Sequence, residues 1–132
     1  MNRTITPPAI AQPAAAYAHA VLSDAPARLL HTAGVVPIAP DGTVPVTPAE
    51  QAAVVWGNVA AILEEAGMAA ADVVAVTTYV VAVADARQLD LAAIMAARDR
   101  FMDGHLAAST LITVPALARP EWLVEVAVVA AS

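Results

Sequence analysis

The closing run Leu123–Ala131 (LVEVAVVAA) constrains the fold more than any other stretch. Alternate residues of a strand point to opposite faces, so Val124, Val126, Val128 and Ala130 form one face and Leu123, Glu125, Ala127 and Val129 the other. The first face suits packing beneath helices. The second is apolar as well, where an antiparallel sheet with helices on one side usually turns polar residues to water. The run therefore calls for a sheet covered twice, by helices of its own chain and by another subunit. Glu125 interrupts this pattern, and a carboxylate in such a place is costly unless it is paired, hydrogen-bonded or protonated.

Two helices can supply the first cover. In "TPAE" Thr47 can cap, Pro48 occupies the first helical position and Glu50 can close a capping box, which predicts a helix over Pro48–Ala66 ended by Gly67. In "DARQ" Asp85 as cap and Gln88 three residues on predict a second helix running to Gly104. β-Branched runs surround them: residues 16–22, 28–36, 72–83, 109–114 and 122–130. Five strands and two helices in this order read as an α+β domain with both helices on one face of a mixed sheet. "PDG" at 40–42 marks a turn in the Pro-punctuated loop before the first helix. No internal repeat is visible.

Composition sharpens the demand for a partner subunit. Of 132 residues 60% are hydrophobic and 14% charged, against roughly 25% charged in an average soluble domain. An apolar excess of this kind is commonly buried between identical subunits. The length fits one domain, residues 1–132, with a Pro/Ala-rich segment 1–16 ahead of an α+β core 17–132. A net charge of −6 with six scattered cationic residues speaks against nucleic acid as partner. No run approaches the roughly 18 to 20 apolar residues of a spanning helix, so no membrane is expected. Cysteine is absent, which removes disulfides and thiolate chemistry. Pro7, Pro8 and Pro13 break up the apolar start, and a cytoplasmic location is the expectation.

Four stretches resemble the RidA (YjgF) family of imine and enamine deaminases: "TITPPAIAQPAAAYAHAV", "HTAGVVPIAPDGTVP", "NVAAILEEAG" followed closely by "DVVAVTTYV", and "PEWLVEV". Together they cover nearly the whole chain. The resemblance implies a chorismate-mutase-like α+β fold, a homotrimer with a central barrel, and small-molecule clefts between subunits. It also implies hydrolysis of reactive enamines or imines to a carbonyl compound and ammonia, with no metal and no cofactor. Such chemistry needs a water aimed at the C=N carbon, a base or acceptor that holds it, and an anchor for the substrate.

Carried over by the resemblance, the catalytic glutamate that orients water falls on Glu125, and a pocket tyrosine falls on Tyr17. Gly34 matches a family glycine, flanked here by Ala33 and Val35 in place of serine and glutamine. The family arginine that clamps a substrate carboxylate falls on Ala108, with Leu106 in place of proline. A bidentate guanidinium is the natural carboxylate clamp and alanine cannot replace it. The usual small imino acids are therefore not the expected substrates. Ser109, Thr110 and His105 complete the candidate substrate-binding set, and Arg98, Arg100 and Arg119 are the nearest cations in sequence. His19 and His31 read as structural, and three isolated histidines do not make a metal site. Trp56 and Trp122 read as packing anchors.

Two other functions fit the same residues. One is a non-hydrolytic tailoring enzyme that steers cyclisation, dehydration or tautomerisation in the same cleft. The other is a non-catalytic ligand-binding or chaperone-like trimer.

Overall fold

The structure is a computed structural model and describes residues 1–82 and 90–132. Thr47 opens the first helix, α1 (Pro48–Glu65), by accepting a hydrogen bond from the Glu50 amide at 3.2 Å through its hydroxyl. Proline at the first position loses no bond there. At the other end Ala66 is the C-cap and Gly67 takes φ +66° with its amide bonded to Glu64 O, a conformation that favours glycine. The guanidinium of Arg28 adds a donor to the free carbonyl of Ala66.

The second helix, α2 (Leu91–Met102), is capped by Asp90, whose carboxylate accepts from the Ala93 amide at 3.0 Å. Asp85 and Gln88, expected to start it, lie outside the described residues. Asp103, at φ +45°, and Gly104, at φ +84°, end it with two left-handed residues.

The main sheet has four strands in the order β3 (Leu29–His31), β6 (Val124–Ala131), β4 (Val73–Val81), β5 (Ala108–Val114). β4 and β5 run parallel, joined through α2, while β6 lies antiparallel to both β4 and β3. A short 3₁₀ turn, Ala70–Asp72, leads into β4. β1 (Asn2–Ile5) and β2 (Ala20–Ser23) form a separate antiparallel pair. No strand is expected from the sequence before residue 16, so β1 is an addition. Asn2 fastens this pair to the main sheet by donating to Ala131 O at 2.7 Å. The strand expected over 16–22 begins at Ala20, with Ala18 making only an isolated bridge to Ala108.

The core confirms the alternation in the closing run. Val124, Val126, Val128 and Ala130 are at most 1% exposed, joined by Val73, Val76 and Val80 of β4 and by Val55, Val59 and Leu63 of α1. Each such side chain contributes about 1.5–3 kcal/mol on burial. Trp56 stacks on Phe101 of α2 with ring centroids 4.9 Å apart, locking the two helices over one face of the sheet. The opposite face, with Thr77 and Tyr79 of β4, Glu125, Ala127 and Val129 of β6, and Thr110 and Ile112 of β5, is only partly buried or exposed within the chain.

Candidate functional site

Glu125 lies on that second face, directly beside Tyr79 in the ladder. Its neighbour Val126 exchanges two hydrogen bonds with Val35, at 2.7 and 3.1 Å, which brings Gly34 against the Glu125 side chain. The approach is close enough that any larger residue would displace the carboxylate: a Cβ built on Gly34 would lie 2.7 Å from Cδ of Glu125 and nearer still to Oε2. The carboxylate is thus seated on the bare Cα of Gly34. Among the described residues it has no hydrogen-bond or ion-pair partner, so its oxygens are free to accept from a ligand or a water. Ala33 and Gly34 are exposed, and with His31, Val36, Asn58 and Ile62 they line an open cavity of about 470 Å³ between this segment and α1.

The remaining candidates gather elsewhere. Ala108, on the Glu125 face at the start of β5, is four residues from Ile112, the β5 residue level with Tyr79 and Glu125. That offset is about 13 Å along the sheet, with β4 intervening. Tyr17 adjoins Ala108 through the Ala18 bridge, and its ring meets His19 edge-on at 6.2 Å. Thr110 is exposed on the same face as Glu125, level with Thr77. Within one chain the candidates therefore fall in two groups, Glu125 with Ala33 and Gly34, and Tyr17 with Ala108 and Thr110.

Two expected site residues face the other way. Ser109 is level with buried Val76 and accepts a hydrogen bond at 3.2 Å from Arg98 of α2, so its hydroxyl serves the helix layer. His105 directs Nε2 at Val73 O, 2.7 Å away, which commits the ring to the backbone at the foot of β4.

Three of the described arginines are engaged within the chain. Arg98 is 4% exposed and held by Ser109 and by Asp99, whose Oδ1 accepts from Nε at 3.0 Å. Arg119 lies over the Trp122 ring at 5.6 Å, and Arg28 is bound to Ala66 O. Arg100 is exposed at the end of α2 and Arg3 is exposed on β1. No group of three or more potential metal ligands occurs among the described residues, and none of the described helices is long and apolar enough to cross a membrane.

Sequence reasoning missed Gln51 and Asn58, two amides that reach from α1 to segments bordering Glu125 and Gly34. Gln51 is fully buried, donating to Pro45 O and Glu121 O and accepting from Leu123 N, each at 2.8 Å. Asn58 donates to Ile38 O at 2.9 Å and to Val36 O at 3.4 Å. Their spacing, seven residues within an Ala- and Val-rich helix, was the available signal.

Comparison with known proteins agrees with this architecture. A Rid-family protein of unknown function from Yersinia pestis, YyfB, is 34% identical over 99% of this chain and 98% of its own, with a TM-score of 0.85. The YjgF gene product of E. coli is 28% identical over 87% of each chain, with a TM-score of 0.68. E. coli TdcF, solved with bound serine, is 23% identical over 88% of this chain and 87% of its own, with a TM-score of 0.69, a likeness of fold. No curated protein sequence matches the chain significantly. The family model described as Endoribonuclease L-PSP matches residues 8–132. With that match and these neighbours, the chain belongs to the endoribonuclease L-PSP family, the YjgF/RidA group.

Proposed function

We propose that this protein hydrolyses the C=N bond of a reactive imine, or of an enamine through its imine tautomer. The observation that carries the reading is the Glu125 carboxylate, which has no partner among the described residues and is seated on Gly34 in an otherwise apolar strand. Glu125 accepts a hydrogen bond from a water and directs its oxygen at the imine carbon. The new C–O bond and protonation of nitrogen give a carbinolamine. Transfer of the carbinolamine's hydroxyl proton to its nitrogen lets the C–N bond break, which releases ammonia and leaves the carbonyl compound. Membership of the family favours this reading, and burial of the second face of the sheet between copies of the chain would strengthen the action of a fixed carboxylate there.

The two groups are half-sites of one cleft formed between copies of the chain, most simply in a homotrimer whose sheets pack through their second faces into a central barrel. The offset of about 13 Å between Ala108 and the level of Glu125 within a chain supports this, since no ligand of imine size spans it. The substrate is uncharged where the usual imino acids carry a carboxylate, because Ala108 stands at the clamp position and three of the described arginines are engaged within the chain. The family's descriptive name suggests RNA, but a net charge of −6 with six cations, of which Arg98 is buried, gives a phosphate backbone little to bind. A cytoplasmic setting belongs to the same proposal and fits the absence of cysteine.

The test is ammonia release from freshly generated imines, in two sets of equal size, one neutral and one bearing a carboxylate. Turnover of the neutral set above the imino acids supports the reading. No turnover of either set sinks it and leaves tailoring chemistry or ligand binding in the same cleft.

A further inference from the structure

α1 turns two amide side chains toward the segments that lead to the Glu125–Gly34 pair. Gln51 and Asn58 are seven residues apart, two helical turns, and so project from nearly the same side about 10.5 Å apart along the axis. Gln51 accepts from the amide of Leu123, two residues before Glu125, and donates to Glu121 O just upstream. Asn58 donates to Val36 O, two residues after Gly34, and to Ile38 O. Between these anchor points the Val35–Val126 exchange ties the two segments together. Each partner of the pair is therefore fixed from the same helix, at a two-residue remove.

We infer that Gln51 and Asn58 are positioning residues that set where the Glu125 carboxylate sits over Gly34, an inference whose kinetic arm rests on the proposed hydrolysis. Neither amide touches the carboxylate. Each acts by holding backbone: Gln51 fixes Glu121 and Leu123 at the entry to β6, ahead of the register that places Glu125 beside Tyr79, and Asn58 holds the 36–38 segment against α1. The amides suit this task because they satisfy several backbone groups at once. Gln51 uses both N–H donors and its carbonyl oxygen, leaving a fully buried side chain with its polar atoms partnered. The helix gives both residues a rigid base, and a shift of the order of 1 Å at a catalytic group costs about a hundredfold in rate.

Asn58→Asp and Gln51→Leu test the inference. The first keeps shape and partial exposure while replacing donors by acceptors that the Val36 and Ile38 carbonyls repel. The second removes the Leu123 contact at similar volume. The readouts are the carboxyl ¹³C resonance of Glu125, the amide resonance of Gly34, and kcat and KM on a neutral imine. Displacement of both resonances in folded Asn58→Asp, with kcat down about tenfold to a hundredfold and KM little changed, is the expected result. Resonances and kcat that stay at wild-type values while only the melting temperature falls would overturn it, since a merely structural role predicts that pattern. If Gln51→Leu does not fold, Asn58→Asp decides alone. Should the wild-type protein hydrolyse no imine, the two resonances still decide the positioning, and the failure belongs to the proposed function.

Discussion

Gly34→Ala separates the site from the fold. An alanine Cβ would lie 2.7 Å from Cδ and 3.2 Å from Cγ of Glu125. Carbon atoms rest about 3.5–4.0 Å apart, so the carboxyl group must retreat by roughly 1 Å. It can do so, because the obstacle is the free end of a flexible side chain and Gly34 is not among the glycines with positive φ. The displaced rotamer costs about 0.5–1.5 kcal/mol, while alanine restricts the unfolded chain and returns about 0.4–1 kcal/mol. Stability should therefore change by less than about 1 kcal/mol. Rate should not be spared: a retreat of about 1 Å corresponds to roughly a hundredfold loss in kcat, about 2.7 kcal/mol in the barrier. Steady-state ammonia release on a neutral imine, alongside thermal melting and the Glu125 carboxyl ¹³C shift, measures all three. Refutation takes either of two forms: kcat within about threefold of wild type with Glu125 visibly displaced, or a variant that fails to fold.

Ala108→Arg should raise kcat/KM on small imino acids relative to neutral imines, by roughly tenfold or more given the strength of a charge-assisted pair; a steady-state comparison of the two substrate sets checks it, and no gain would mean the cleft differs beyond that side chain. Asp41 titrates below the usual carboxylate value of 3.8, because the Thr43 hydroxyl and then the Thr43 amide donate to it. With its folded pKa depressed, the stabilisation is present above about pH 3.8 and disappears as pH falls through the lower folded value. Thr43→Val should move the titration, followed by carboxyl ¹³C NMR, back toward the ordinary value.

Much of this was legible because local chemistry and tertiary context agree. Thr47, Pro48 and Gly67 mark the ends of α1 through contacts within a few residues, and the structure uses each as such. The two-faced apolar pattern of β6 is likewise local, and its buried half matches residue for residue. α2 was legible as a helix, and within the described residues it is the Asp90–Ala93 bond that caps it. β1 was hidden because four residues beside a proline-rich stretch carry little pattern; pairing with β2 and the Asn2–Ala131 bond make it a strand. Glu125 and Gly34 were both singled out, yet their mutual contact depends on the Val35–Val126 bridge across 91 residues, which no spacing reveals. Gln51 and Asn58 were missed for the same reason, their partners lying up to 72 residues away. The orientation of Ser109 toward the helix layer depends on the register of β5, where a shift of one residue exchanges the Glu125 face for the helix face.

The most direct measurement compares kcat for a neutral imine between the wild-type protein and Glu125→Gln, with the oligomeric state of both determined by light scattering. Glutamine keeps the size of the side chain and its place on Gly34 but removes the charge that holds and polarises water. The account predicts an identical assembly and a loss of at least about a hundredfold. An equally assembled Glu125→Gln protein that hydrolyses the imine at the wild-type rate would contradict it.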